Sequence, residues 1–248
     1  MASLEEISLY SGKVKLLFDP VRHVYMYNDK RVDGVTSILG CIAKPALINW
    51  AAKQASEYLK ENLVPGRAYD EIELSRFFQE ASKAHQYKKE KAGTIGTFVH
   101  EWIERRIAAG HSIPFPINEE IKAGCEAFEQ WLSENHVEFL SSELRIFSLK
   151  YMYAGTLDFT ARVNGKLMLG DIKTSSGVYP EMFFQTAAYQ MAQEEENPNQ
   201  IFEGNIIVNC RKDGKLVVKQ TDQYDADSRA FLAALALHRR LLEIGSRS

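Results

Sequence analysis

Apolar and polar positions alternate from Val14 to Val32, through Leu16, Val24 and the Tyr25-Met26-Tyr27 run, with Asn28-Asp29 as a turn. This spacing predicts a β-hairpin over residues 13 to 32. The period then lengthens. Thr36-Ser37 is placed to cap a helix beginning near Ile38. Pro45 opens a second helix, with Leu47, Trp50, Ala51, Tyr58 and Leu59 at helical spacing, and Pro65-Gly66 ends it. Residues 70 to about 91 are helical again, through Ile72, Leu74, Phe77 and Phe78. Gly93-Thr94-Ile95-Gly96-Thr97 predicts a break before a further helix, Phe98 to Ala109. Pro114 and Pro116 mark a loop. Ile117 to His136 reads as an amphipathic helix with Ile121, Cys125, Phe128, Trp131 and Leu132 on one side.

The second half alternates strands with helices. Glu138 to Leu149 predicts the first strand of a central sheet. Ala154 to Val163 and Leu167 to Thr174 follow, joined by Asn164-Gly165, a two-residue hairpin signal. Thr174 to Gly177 is a polar loop, and Pro180 opens a helix through Gln193. Ile206 to Cys210 and Leu216 to Lys219 are two further strands around the turn-forming stretch 211 to 215. Asp225 or Asp227 is expected to cap a last helix, Ser228 to Ile244. The chain is therefore expected to be α/β.

One hairpin carries unusual chemistry. Strand side chains alternate between faces, so Asp171 and Lys173 point the same way and Ile172 the other. Pairing across Asn164-Gly165 brings Asp158, set among apolar neighbours, beside Asp171. Two carboxylates on one sheet face are costly unless a cation joins them, and magnesium prefers such oxygen ligands. Other groups stand near in the sequence. His100 and Glu104 are four apart on one helix face, as are Gln185 and Tyr189. The string at His100 lacks the second histidine of a zinc protease. Glu143 lies on the first sheet strand, where it faces either the site or solvent. Lys83, Lys88, Lys89 and Lys91 cluster at the predicted end of a helix, either as a solvated helix end or as phosphate contacts.

At these residues the chain resembles the PD-(D/E)XK nuclease superfamily, in particular its RecB-like exonuclease branch. The resemblance rests on Gly93-Thr-Ile-Gly-Thr-x-x-His100, Gly155-x-x-Asp158, Asp171-x-Lys173 and Gln185-x-x-x-Tyr189, in the family's order within residues 93 to 189. The chain has no proline before its first acid, and its second acid is aspartate. The resemblance implies a restriction-endonuclease-like core, a central mixed β-sheet flanked by helices, over residues 93–248. Residues 1–92 would form an N-terminal hairpin and helical region arching over the site. It further implies one or two Mg²⁺ or Mn²⁺ ions held by His100, Asp158, Asp171 and the main-chain carbonyl of Ile172. Lys173 would be catalytic together with Asp158 and Asp171, with Gln185 and Tyr189 orienting Lys173 or a phosphate. Glu104 and Glu143 would support the ligands from outside, and Lys88, Lys89, Lys91, Thr174 and Ser175 would touch DNA. The activity implied is a stand-alone DNA exonuclease of recombination, repair or replication, of the phage or mitochondrial type. The rivals are a flap endonuclease, a silent nucleic-acid-binding protein on the same fold, and a structural module in which the acids form a buried ion cluster.

Composition adds bounds rather than direction. The chain has 248 residues and is 45% hydrophobic and 25% charged, as globular proteins commonly are. A formal net charge of -3 argues against a general polyanion binder, so DNA contact must come from a local patch. The substrate expected is single-stranded DNA or a duplex end, with a recombination or single-strand-binding protein as a partner. Cys41, Cys125 and Cys210 are far apart in apolar surroundings, which fits buried thiols and gives no C-x-x-C pair for zinc or an iron–sulfur cluster. No apolar run reaches the ~18–20 residues of a membrane span, and the first residues lack signal-peptide features. A cytoplasmic protein of a bacterium or phage-infected cell is expected.

Overall fold

The computed structural model describes residues 4–245. The first three residues, which belong to the stretch read above for a signal peptide, lie outside the described residues. The elements are β1 (Glu5–Leu9), β2 (Val14–Asp19), β3 (Val24–Tyr27), β4 (Lys30–Gly34), α1 (Val35–Leu39), α2 (Pro45–Asn62), α3 (Glu71–Ala109), α4 (Glu119–Glu134), β5 (Val137–Ser148), β6 (Tyr153–Val163), β7 (Lys166–Lys173), α5 (Pro180–Glu196), β8 (Gly204–Cys210), β9 (Leu216–Thr221) and α6 (Tyr224–Gly245). The protein is α/β, with nine strands in one mixed sheet and six helices among the described residues. No helix among them is long and apolar enough to cross a membrane.

The sheet runs β1-β2-β3-β4-β6-β7-β8-β9, with β5 also paired to β6. Most neighbours are antiparallel; β4 with β6 and β7 with β8 are parallel. The strand β6 therefore has three partners. One edge pairs with β5 from Tyr153 to Val163. The other pairs with β4 at Tyr153 and Ala154 and with β7 from Phe159 to Val163. Between these two ladders, from Gly155 to Asp158, that edge has no strand partner. The sheet forks there.

The N-terminal strands form a meander rather than a single hairpin. Asn28 and Asp29 both have positive φ, 49° and 60°, as the tight turn between β3 and β4 requires. Along β2, Val14, Leu16 and Phe18 are buried at alternate positions and share a core with Tyr25, Val32, Phe147 and Ala154. A second core gathers Ile38 of α1, Tyr189 of α5 and Phe231 of α6 around Tyr153, Leu157 and Leu169. Phe128 and Trp131 of α4 pack with Phe139 and Phe159. Cys125 and Cys210 are buried, Cys41 is half-buried, and all three are free thiols.

Three expectations need correction. The helix α1 starts at Val35 with Gly34 as its N-cap and no side-chain cap, so Thr36-Ser37 lies inside it. The helix α6 starts at Tyr224, which puts Asp225 and Asp227 in its first turn. Gly93 to Thr97 is not a loop: α3 is continuous over 39 residues. Each glycine costs a helix about 1 kcal/mol, but Ile95, Val99, Trp102 and Ile103 bury a continuous stripe along this one. The hydroxyls of Thr94 and Thr97 bond back to the Glu90 and Gly93 carbonyls within the same helix.

The chain divides into two compact units, Met1–Ile42 with Val99–Ser248, and Ala43–Phe98. The N-terminal strands thus belong with the central sheet, whereas the sequence boundary at 92/93 groups them with the helices that follow. The smaller unit contains α2 and the first part of α3, tied by Lys88 to Glu57 at 3.4 Å and by an edge-to-face contact of Trp50 with His85. The lysines at 83 to 91 lie in mid-helix, not at a helix end.

Candidate active site

The fork in the sheet is the site. Asn164 and Gly165, at φ 51° and 86°, make the expected tight turn, and pairing proceeds from Val163 opposite Lys166 to Phe159 opposite Gly170. One step further places Asp158 across from Asp171. There the ladder stops, and the main-chain N–H of Ile172 donates to Asp158 Oδ2 at 2.6 Å. On the other edge, Ser142 opposite Phe159 and Leu144 opposite Leu157 bracket Glu143, across from Asp158. Three acids on three neighbouring strands form one row.

The charges in this row are poorly solvated. Asp171 is 0% exposed, and its Oδ1 has no hydrogen-bond donor. The Lys173 ammonium nitrogen lies 2.5 Å from Asp171 Oδ2, a close ion pair. Burial drives the Asp171 carboxyl up to about 6, with Lys173 opposing and Asp158 adding to the rise. Burial raises Asp158 too, against Lys173 and the Ile172 N–H. For Lys173, burial pulls downward, but Asp171 and Asp158 outweigh it, and the group stays an ammonium. At neutral pH the site therefore holds a buried carboxylate met by one lysine, with its Oδ1 lacking a donor.

His100, on α3, places Nδ1 3.9 Å from Asp158 Oδ2, with its side chain one-third exposed. Burial, then the Lys173 charge, lowers its pKa to about 4. A neutral imidazole with a free lone pair is the form that ligates cations. Glu143 sits at φ 50°, a strained conformation for a non-glycine residue. Burial, then Asp158 and Glu104, raises it to about 7, while Arg145 draws it back and donates Nη1 to the Glu143 carbonyl at 2.8 Å. The Glu104 charge thus bears on Glu143.

The helix α5 brings in Gln185 and Tyr189. Gln185 Nε2 donates to Tyr189 Oη at 2.8 Å. Burial, then Asp171 and Asp158, holds the Tyr189 hydroxyl well above its ordinary pKa. Gly155 makes room for this ring, because a Cβ there would lie 2.6 Å from Tyr189 Cε1. The Gly155-x-x-Asp158 spacing has a physical basis: a glycine for tyrosine packing, then an acid at the fork.

The structure thus brings together His100, Asp158, Asp171, Ile172, Lys173 and Tyr189, with Gln185 on the tyrosine and Glu104 on Glu143. Thr174 and Ser175 begin the loop that leaves Lys173. Lys88, Lys89 and Lys91 belong to the helical unit Ala43–Phe98. Among the described residues, no three His, Cys, Asp or Glu side chains close around one ion position. Sequence reasoning missed Arg145, which has a cation–π contact with Phe18 at 4.5 Å, and Asn209, paired in register with Lys173. Neither belongs to a local pattern; their partners are far away in the chain.

No family model matches the sequence, and no curated protein matches it significantly.

Proposed function

We propose that this protein is a divalent-metal-dependent DNA exonuclease. One observation carries the reading: a fully buried aspartate with one oxygen lacking a hydrogen-bond donor, beside a second acid and a lysine, where β6 and β7 part. The donor set fits a hard cation. Asp158 and Asp171 offer carboxylate oxygens, Ile172 its carbonyl and His100 a neutral nitrogen. When bound, Mg²⁺ or Mn²⁺ would neutralise the scissile phosphate and acidify a water.

The chain's own groups do the rest. Asp158 is fixed by the Ile172 N–H at its Oδ2 and offers its carboxylate to the cation. Lys173 keeps its proton and supplies a fixed positive charge where the pentacovalent phosphorus gains negative charge. The same ammonium donates to the attacking water and aligns it. Tyr189 and Gln185 hold the floor beneath the acids. Exonuclease action, and a place in recombination, repair or replication, rest on the motif resemblance.

The test is a gel assay with end-labelled single- and double-stranded DNA in Mg²⁺, Mn²⁺ or chelator, alongside a circular single strand. Products that shorten from an end, need metal and spare the circle are expected. Wild-type protein that cleaves nothing in either metal overturns the reading.

A further inference from the structure

Beyond Lys173 lies a loop that the hydrolytic machinery leaves unused. It spans residues 174–179, between the end of β7 and the start of α5. The strands β7 and β8 are parallel, and in open α/β sheets ligands gather beyond the carboxyl ends of such strands.

The loop is held from β8 and the turn after it. Asn209, in register with Lys173, donates Nδ2 to the Ser175 carbonyl at 3.1 Å. Arg211 donates Nη1 to the Ser176 carbonyl at 2.5 Å and keeps both other arms on Asp213, at 2.9 and 2.8 Å. Ser175 Oγ donates to the Gly177 carbonyl at 2.6 Å. These bonds fix the backbone and end at an aromatic residue. Tyr179 is 41% exposed, yet its hydroxyl shares a hydrogen bond of 2.8 Å with Ser176 Oγ. Its ring lies beside Gly177, where a Cβ would come within 3.7 Å of Cζ. Under the loop, Asn209 is 0% exposed, and its Oδ1 has no donor.

An exposed ring, held by its own hydroxyl on a backbone pinned from a neighbouring strand, is a preorganised flat surface. It is six residues from the lysine that faces the phosphate. Every nucleobase has a π-face, so such a ring binds unstacked bases with little regard to sequence. A base within a duplex is already stacked and gains nothing from it. Resting on the nuclease reading above, we propose that Tyr179 is a stacking platform for a base of single-stranded DNA, and that it selects unpaired strands for this site. Asn209 and Arg211 are positioning residues that hold the platform.

Binding is read without cleavage, by fluorescence anisotropy of a labelled mixed-sequence single strand in chelator. Tyr179→Leu is expected to weaken binding about tenfold, the scale of one lost base–aromatic stack. Tyr179→Trp and Tyr179→Phe, which keep a ring but lose the hydroxyl that holds it, are expected to bind more weakly than the wild type and more tightly than Tyr179→Leu. A strand with abasic spacers is expected to bind wild type and Tyr179→Leu alike. Three results overturn the proposal: no single-strand binding by the wild type, unchanged affinity in a folded Tyr179→Leu, or a Tyr179→Leu defect that persists on the abasic strand. Should Tyr179→Leu fail to fold by circular dichroism, Tyr179→Phe decides on the abasic strand, and a preference for the base-containing strand must survive in it. Because no hydrolysis enters this assay, a protein that stacks bases but cleaves nothing overturns the nuclease reading alone.

Discussion

From Phe159 to Val163, β6 pairs with Lys166 to Gly170 of β7 in an unbroken ladder. One residue further along, the same strands part, and two acids stand opposite each other. In the closed half the Phe159 ring fills the space over Gly170, where a Cβ would come within 1.9 Å of Cζ. In the open half, Asp158 takes the Ile172 N–H that a ladder would have used, and Asp171 is buried against the Lys173 ammonium with its Oδ1 unmet. The closed half lowers the energy of the fold; in the open half burial raises both acids against the pull of Lys173. A cation bound there would stabilise them further. The closed half sets the register, and the register aligns Glu143, Asp158 and Asp171. The packing of one half therefore fixes the chemistry of the other.

The largest effect is expected in the closed half. Phe159→Ala removes a fully buried ring that contacts Trp131 and Phe139. A loss of about 3–5 kcal/mol is expected, with a fall in Tm of about 2–4 °C per kcal/mol in a chain of this size. Any protein that remains folded should keep its metal dependence. A fall of less than about 2 °C, against the roughly 6 °C that even the smallest loss implies, would remove the claim that this half carries the stability.

The open half should respond in the opposite sense. Lys173→Ala is expected to slow cleavage by about 10²–10³, comparable to the loss of one oxyanion-hole donor. Asp171→Asn should abolish metal-dependent cleavage yet raise the melting temperature without metal at pH 7.5, because burial raises the Asp171 carboxyl in spite of Lys173, so the folded state disfavours its charge, and an amide carries none. Paired single-turnover and melting measurements decide this. An Asp171→Asn protein that melts lower than wild type in chelator would show that the acid stabilises the fold.

The pH dependence sharpens the same contrast. Asp171 goes from 3.8 in the unfolded chain to about 6, so the folded state holds its proton longer and stability falls as pH rises between them. Glu143, raised from 4.5 to about 7, adds a fall over its own window. His100, lowered from 6.5 to about 4, works the other way: the unfolded chain binds the extra proton, and stability rises with pH over that range. These slopes oppose each other in the wild type. His100→Gln removes the rising one, so without metal its melting temperature should fall more steeply from pH 4.5 to 6.5 than that of wild type. Parallel curves for the two proteins would contradict the assignment of a neutral His100.

How much of this was legible in the sequence follows the same division. Local signals gave the closed half: Asn164-Gly165 needs two positive φ values, and the alternation along the strands sets which residues face each other. They also gave Asp158, Asp171 and Lys173 as neighbours. The fork was not legible, because it depends on β4 reaching β6 at Tyr153 and Ala154, a pairing between residues about 120 positions apart. The unbroken α3 was missed for a related reason: glycine propensity is local, whereas the buried stripe from Ile95 to Ile103 is tertiary. Asn209 and Arg211 hold a loop more than 30 positions away. The strand β1 is short, with two glutamates among five residues, and carries little alternation of its own.

The smallest expected effect isolates the turn from both halves. Gly165 sits at φ 86° with nothing within 4 Å of a would-be Cβ, so Gly165→Ala meets no collision and costs only backbone strain. A left-handed conformation costs a residue with a side chain roughly 1–2 kcal/mol. If register is set by the ladder from Phe159 to Val163 as well as by the turn, the variant should melt slightly lower and cleave at the wild-type rate. A Gly165→Ala protein that remains folded but loses cleavage would mean that the turn alone holds Asp158 opposite Asp171. The closed half would then be cover for the site, not its register.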